Sequence, residues 1–218
     1  MQISNFLIIG VIVTLVIACI YFICKSMEKD SKLQESLICP LPQNNANTNS
    51  IINPQLHIED PDIVKLRDFV MANFDRSCIH GIRHWDRVYN YGMQLLTPEV
   101  NKKVVQAFAY LHDTCREDDR YDEEHGPRAA EMIGNLRTTI LAFLSDEEFA
   151  LLHDACMYHT TVERTSNPTI NACFDADRLD LWRVGIVPFP ERMASPLGAE
   201  IARSTDYASI AHEVYWVM

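Results

Sequence analysis

Positive charge is what this chain has least of. Lysine and arginine number 19 against 30 aspartates and glutamates, a formal net charge of −11 over 218 residues. No basic face is left to neutralise a nucleic-acid backbone, so a long phosphate polymer is repelled and no nucleic-acid partner is expected. A small anion held by a few local arginines is still admissible. Paired cysteines are missing too. Cys19, Cys24, Cys39, Cys78, Cys115, Cys156 and Cys173 are odd in number and form no CxxC pair, so they read as small buried hydrophobes of a reducing compartment, not as a disulfide frame. Strand-like alternation of useful length is absent as well, which leaves an all-α fold. With 48% hydrophobic residues the chain can bury one respectable core, yet it is too short for two large domains once its first ~55 residues are set aside.

Charge is wholly lacking from residues 6–24. A helix of that length covers roughly the 30 Å hydrocarbon core of a bilayer. No basic side chain precedes the run, whereas Lys25, Lys29 and Lys32 follow it, so the C-terminal flank is expected on the cytoplasmic side. Residues 1–27 thus read as an uncleaved single-pass membrane anchor. The stretch ending at Cys19 resembles a lipoprotein cleavage box, but the apolar run continues to Cys24 and its N-terminal flank is uncharged. Residues 28–59 lose periodicity and turn polar around Pro40 and Pro42. Such a composition cannot bury enough apolar surface to offset chain entropy, so a flexible linker is expected, with the folded domain over 60–218.

That domain shows helical periodicity almost throughout. Pro61 opens a first helix whose Ile63, Leu66, Phe69 and Val70 share a face. Further helices are predicted over 81–96, 98–114, 126–143, 145–160, 167–184 and 198–217. In the third, Val104, Ala107, Phe108 and Leu111 follow i, i+3, i+4, i+7 spacing, which puts His112 and Asp113 at the end of an inward-facing helix. Ser145, followed by three acids, announces the N-terminus of the fifth.

Laid over this frame, His84, His112-Asp113, His125, His159 and Asp177 form an ordered set, H…HD…H…H…D. Neutral imidazoles and carboxylates converging from several helices suit one or two divalent ions, and a carboxylate directly after a ligand histidine can bridge the two. Asp113 is so placed. A second HD dipeptide, His153-Asp154, competes with His159 for the fifth helix. Six residues separate His153 from His159, about 240° around a helix, so both cannot face one site. His159 is preferred, with Leu151, Leu152, Ala155 and Cys156 as its apolar surroundings. His57 and His212 are assigned structural or surface roles, Trp85, Trp182 and Trp216 the core, and the acids of 117–124 a solvated loop.

Fuller strings surround these residues: His80-Gly81-Ile82-Arg83-His84, Leu111-His112-Asp113, His125-Gly126-Pro127-Arg128 and Asp175-Ala176-Asp177-Arg178-Leu179-Asp180. Over about residues 60–186 they resemble the HD-domain superfamily of metal-dependent phosphohydrolases. The resemblance implies that His84, His112, Asp113 and Asp177 hold one metal, that His125 and His159 add ligands for a second, and that Asp113 bridges. Mn, Fe, Mg, Ni and Zn are not distinguished by it. One departure is Arg116, which stands where some HD nucleotidases and alarmone hydrolases have a carboxylate three residues after the HD aspartate. A glutamate-driven mechanism is therefore not carried over, and Arg116 suggests anion binding instead.

The implied chemistry is hydrolysis of a small phosphate ester or nucleotide by metal-activated water. Arg116 and Arg128 are candidates to meet the anionic substrate, and His80, one turn before His84, to protonate a leaving oxygen or orient the ligands. Arg83 and Arg178 sit beside ligands and are expected to point elsewhere. Two other readings use the same residues: a diiron oxygenase resembling myo-inositol oxygenase, and a metal-binding regulatory module without catalysis. Loss of a ligand would mark the last, and none of the core four is missing. The substrate and the oligomeric state are not legible in the sequence.

Overall fold

A helix with no polar face organises the domain. In α3 (Lys102–Leu111) every residue from Val104 to Leu111 is buried, which a helix tolerates only when neighbours surround it. The computed structural model describes residues 56–75, 77, 79–207 and 210, and within them α1 (Pro61–Phe74), α2 (Ile82–Gln94), α5 (Asp146–Tyr158) and α6 (Pro168–Arg178) all pack against α3. Two further helices complete the set: α4 (His125–Leu136) lies against α5, and α7 (Pro196–Ser204) against α6. Short 3₁₀ turns, Leu181–Val184 and Pro190–Arg192, join α6 to α7. The described residues contain seven α-helices and no strand, so the fold is all-α.

Local chemistry explains where most helices begin. Side chains of Asp60, Asn101, Asn167 and Ser195 accept from backbone N–H groups of the first turns of α1, α3, α6 and α7. Ser145 and Glu148 form a reciprocal capping box on α5. Helix α2 has no cap of its own. Its Ile82 N–H donates instead to Asp75 Oδ1 at 2.9 Å, from the end of α1. Between helices, Arg67 holds Asp86 with two bonds of 2.9 and 2.8 Å, and Tyr110 Oη donates to the same carboxylate at 3.2 Å. One buried-edge cluster thereby ties α1, α2 and α3 together.

Several predicted boundaries move. The third helix starts at Lys102 rather than Pro98, because the Asn101 side chain caps it, and it ends at Leu111. His112 and Asp113 therefore sit in the turn that follows, not in the helix itself. The fourth stops at Leu136 and gives way to turns through 143. The sixth stops at Arg178 and tightens into the 3₁₀ turn that ends at Gly185, whose φ of 79° is the one positive value among the described glycines. The last begins at Pro196 and breaks after Ser204, where Thr205 is extended and its hydroxyl donates back to the Ile201 carbonyl at 2.8 Å. Tyr207 and Ile210 are helical again, and the remainder of the predicted span 198–217 lies outside the described residues.

The apolar run 6–24, the linker up to residue 55, His212 and Trp216 lie outside the described residues. Among the described residues no helix is long and apolar enough to cross a membrane. Leu56 and Ile58, just before the predicted boundary at residue 60, already rest on the core. Cys156 and Cys173 are free and buried, and burial pushes both thiols up, in keeping with packing rather than redox roles. Trp85 and Trp182 are core residues.

Phe108 tests the central role of α3. It is fully buried, stacks on His112 at 4.8 Å and meets His159 edge-on at 5.9 Å. Phe108→Ala should cost about 3–5 kcal/mol in chemical denaturation. A loss under about 1 kcal/mol would mean that α3 does not carry the core.

Candidate metal centre

Five helix ends and turns deliver the candidate ligands to one buried point. His84 comes from the first turn of α2, His112 and Asp113 from the end of α3, and Asp177 from the last turn of α6. His125 opens α4 and His159 closes α5. Gly126 makes the last meeting possible: a Cβ there would lie 2.8 Å from the Cys156 carbonyl and 3.3 Å from the His159 ring, so only glycine lets α4 come this close to α5.

The atoms fall into two groups that share Asp113. On one side His84 Nε2 lies 3.0 Å from His112 Nε2 and 3.4 Å from both Asp113 Oδ2 and Asp177 Oδ1. On the other, His125 Nε2 lies 2.9 Å from His159 Nε2 and 3.0 Å from Asp113 Oδ1. Each oxygen of Asp113 thus faces its own pair of imidazoles, the geometry of a bridging carboxylate. Both triads, His84-His112-Asp113 and Asp113-His125-His159, are buried groups able to hold a metal ion.

Hydrogen bonds on the far side of each ring decide which nitrogen faces inward. His112 Nδ1 faces the Phe108 carbonyl at 3.1 Å, His159 Nδ1 the Cys156 carbonyl at 2.8 Å, and His125 Nδ1 the Asp122 carbonyl. A carbonyl oxygen only accepts, so these rings carry a proton on Nδ1. His84 Nδ1 donates in the same sense to Asp180 Oδ2 at 2.8 Å. With Nε2 unprotonated, as metal ligation requires, all four Nε2 atoms present lone pairs to the centre, two against two at 2.9–3.0 Å. Facing lone pairs repel unless a proton or a metal ion lies between them. Two donors each about 2.1 Å from one ion and at right angles to it are about 3.0 Å apart, so both pairs fit the grip of a divalent ion. Asp177 Oδ1 adds to this fit, because it is buried and accepts no hydrogen bond.

Electrostatics follow the same division. Burial and Arg183 push the His84 imidazole down, but the carboxylates of Asp113, Asp177 and Asp180 outweigh them and raise it to about 9. Burial keeps His112 low and neutral. Desolvation alone would raise Asp113 and Asp177. The surrounding histidines override it and hold both well below the usual carboxylate range, with Arg183 helping at Asp177.

Around the ligands lies a second set of residues, and here sequence reasoning missed three. Asp180 is fully buried and orients His84, while Arg87 clamps it with bonds of 2.7 and 3.0 Å and stacks over Trp182. Arg183 reaches the centre itself: its Nη2 is 3.8 Å from Asp113 Oδ2 and 3.2 Å from His80 Nδ1, and its Nη1 is 3.8 Å from Asp177 Oδ1. A signal existed, since Asp177, Asp180 and Arg183 recur at intervals of three on one helical face.

The other candidates divide. His80 Nδ1 is 2.9 Å from Asp113 Oδ2, and Arg116 Nη1 is 3.5 Å from Asp113 Oδ1 and 3.2 Å from both ring nitrogens of His125. Both line a cavity of about 630 Å³ that opens onto Asp113, Asp177 and Arg183. Arg128 does not line it. Its guanidinium instead binds Asp122 at 2.6 Å and the Cys115 carbonyl at 3.0 Å, which pins the acidic loop. The predicted anion-binding role of Arg128 therefore gives way to a structural one, and Arg183 stands in its place. His153 is partly exposed and pairs only with neighbouring Asp154, away from His159.

Fold and site together define an all-α protein with a buried histidine–aspartate centre able to hold metal. No protein-family model, no curated protein and no solved structure matches the chain.

Asp113→Ala should remove bound metal from both halves of the centre, whereas His153→Ala should leave metal content unchanged. Asp180→Asn should weaken metal binding about 10–100-fold by freeing the His84 ring. Elemental analysis and metal titration of the full chain check all three, and an Asp113→Ala protein with full metal content would overturn the centre.

The metal-free protein has its own pH signature. His84, raised from 6.5 to about 9, contributes stability that is complete below pH 6.5 and is lost as pH rises through 9. Asp113 and Asp177, held below 3.8, contribute above that value and lose it in acid. Melting temperature of the chelated protein should therefore peak between these limits and fall toward pH 9. Saturating Mn²⁺ should abolish the alkaline fall, because metal replaces the proton. A melting temperature that climbs from pH 6.5 to 9 without metal would contradict this.

Proposed function

We propose that the chain is a metal-dependent phosphohydrolase of the HD-domain superfamily that cleaves a small phosphate ester or nucleotide. Residues 6–24 would anchor it to a membrane with this domain on the cytoplasmic side. The observation that carries the proposal is Asp113, whose two oxygens face separate imidazole pairs. Divalent ions held by His84, His112, Asp113 and Asp177, and by Asp113, His125 and His159, would supply Lewis acidity and bring the pKa of a water toward neutrality.

The chain's own residues would do the rest. Arg183 projects its Nη atoms between Asp113 and Asp177, where a guanidinium can take two phosphate oxygens at once. Arg116 flanks the His125 side and can neutralise charge that develops on the transferred group. His80, hydrogen-bonded to Asp113 through Nδ1 and facing the Asp119 carbonyl at 3.3 Å through Nε2, lines the cavity and would orient the Asp113 carboxylate. Two guanidinium groups beside the centre favour hydrolysis of an anion over the oxygenase alternative.

The test is phosphate release from nucleotides and small phosphoesters by the full chain, loaded in turn with Mn²⁺, Fe²⁺, Mg²⁺ and Zn²⁺. Arg183→Ala should lower kcat/KM by about 10²–10³-fold with metal content retained. Oxygen consumption without phosphate release would replace the hydrolase with an oxygenase.

A further inference from the structure

The metal cavity continues past its ligands. Thr160, Thr161, Leu181 and Ile186 line it and equally line a neighbouring trough of about 420 Å³, so the two form one depression. The far wall of the trough is Val187, Pro188, Phe189 and Met193. Ile186, Val187 and Phe189 are 51%, 47% and 59% exposed, a run of apolar surface that soluble proteins seldom leave open without use.

One short segment builds both ends of the depression. The 3₁₀ turn aims Arg183 into the metal cavity. Gly185, at φ 79°, then reverses the chain so that Ile186 N–H bonds back to the Leu181 carbonyl at 3.2 Å and Ile186 to Phe189 fold along the trough. Of the two arginines of the trough, Arg178 donates to the carbonyls of Val162, Glu163 and Arg192, and Arg192 is exposed with the Glu163 carboxylate 3.8 Å away to offset its charge. A hydrocarbon would meet apolar walls along Val187, Pro188, Phe189 and Met193.

We infer that the trough receives the hydrocarbon part of the substrate, which makes the substrate an amphiphilic phosphate ester. The inference rests on the phosphohydrolase reading: the phosphate lies at the metal centre with Arg183, and the leaving group runs over Leu181 and Ile186 toward Val187 and Phe189. Each methylene that leaves water should raise affinity about fourfold, so chain length itself becomes the measurable signature.

The experiment is calorimetric binding of methylphosphonate, octylphosphonate and octanol to the Mn²⁺-loaded full chain, free of micellar detergent. Phosphonates are not hydrolysed, so binding is read apart from turnover. Octylphosphonate should bind at least about tenfold more tightly than methylphosphonate and than octanol. Val187→Asp and Phe189→Asp, both at exposed positions, should each collapse the octyl-to-methyl ratio with metal content retained. A ratio near one in the native chain overturns the inference. So does a ratio that neither variant moves, or octanol binding as tight as octylphosphonate, which would mark a docking face independent of the anion. Retention of the ratio with no cleavage of octyl phosphate keeps the amphiphile site and sinks the hydrolase. Cleavage of short esters with a ratio of one does the reverse.

Discussion

Everything in this domain answers to one buried carboxylate. Asp113 is 5% exposed and takes contacts from His80, His84, His125 and Arg183 within 3.8 Å. A charge removed from water this completely is tolerated only when opposite charge or hydrogen-bond donors surround it. The fold supplies them from α2, the end of α3, α4, α5 and the 3₁₀ turn after α6. Helix α3 is buried from Val104 to Leu111 to suit: it is the post on which Asp113 is carried into the interior, and its neighbours bring the compensating groups.

Rigidity at the centre comes from the far sides of the rings. Each imidazole has its outer nitrogen fixed by a carbonyl or carboxylate, so tautomer and orientation are set before any metal arrives. The longest of these supports runs from Trp182 through Arg87 and Asp180 to His84. Phe108 does the equivalent by packing, since its ring lies flat on His112 and edge-on to His159. Core and centre are thus one structure, and damage to either should be felt in both.

Charge scarcity gains meaning at the site. A chain of net charge −11 keeps three of its arginines, Arg87, Arg116 and Arg183, within reach of the ligands or their supports. Distant anions are repelled by the whole surface, and the cavity itself is lined by five carboxylates and three arginines, so a net positive field there would come from bound metal together with those guanidinium groups. The apolar trough beside it shares its walls, so polar and apolar recognition sit on a single segment between Asp177 and Phe189.

The helices were legible in sequence because periodicity and capping are local: Ser145 and Asn167 act on backbone groups two or three residues away, whereas the caps at Asn101 and Ser195 went unread and the starts of α3 and α7 slipped with them. Boundaries slipped at the end of α4, after Arg178 and at Thr205, where a turn or a single hydroxyl outweighs the pattern. The six histidine and aspartate candidates were legible as well, since their side-chain chemistry and order already restrict what they can bind. Which arginines meet them was legible only in part, since Arg116 lies beside Asp113 and His125 as expected. Arg128 looked right by helical phase yet is spent on Asp122, whereas Arg183 reaches His80 across 103 residues and Arg87 reaches Asp180 across 93. Sequence by itself determined the helical class and the candidate ligands, with Asp113 expected between them. Only the tertiary structure decided that the two oxygens of Asp113 face separate imidazole pairs, and which outer supports and second arginine stand at the centre, because contacts across a hundred residues depend on how helices pack and not on the spacing within any one of them.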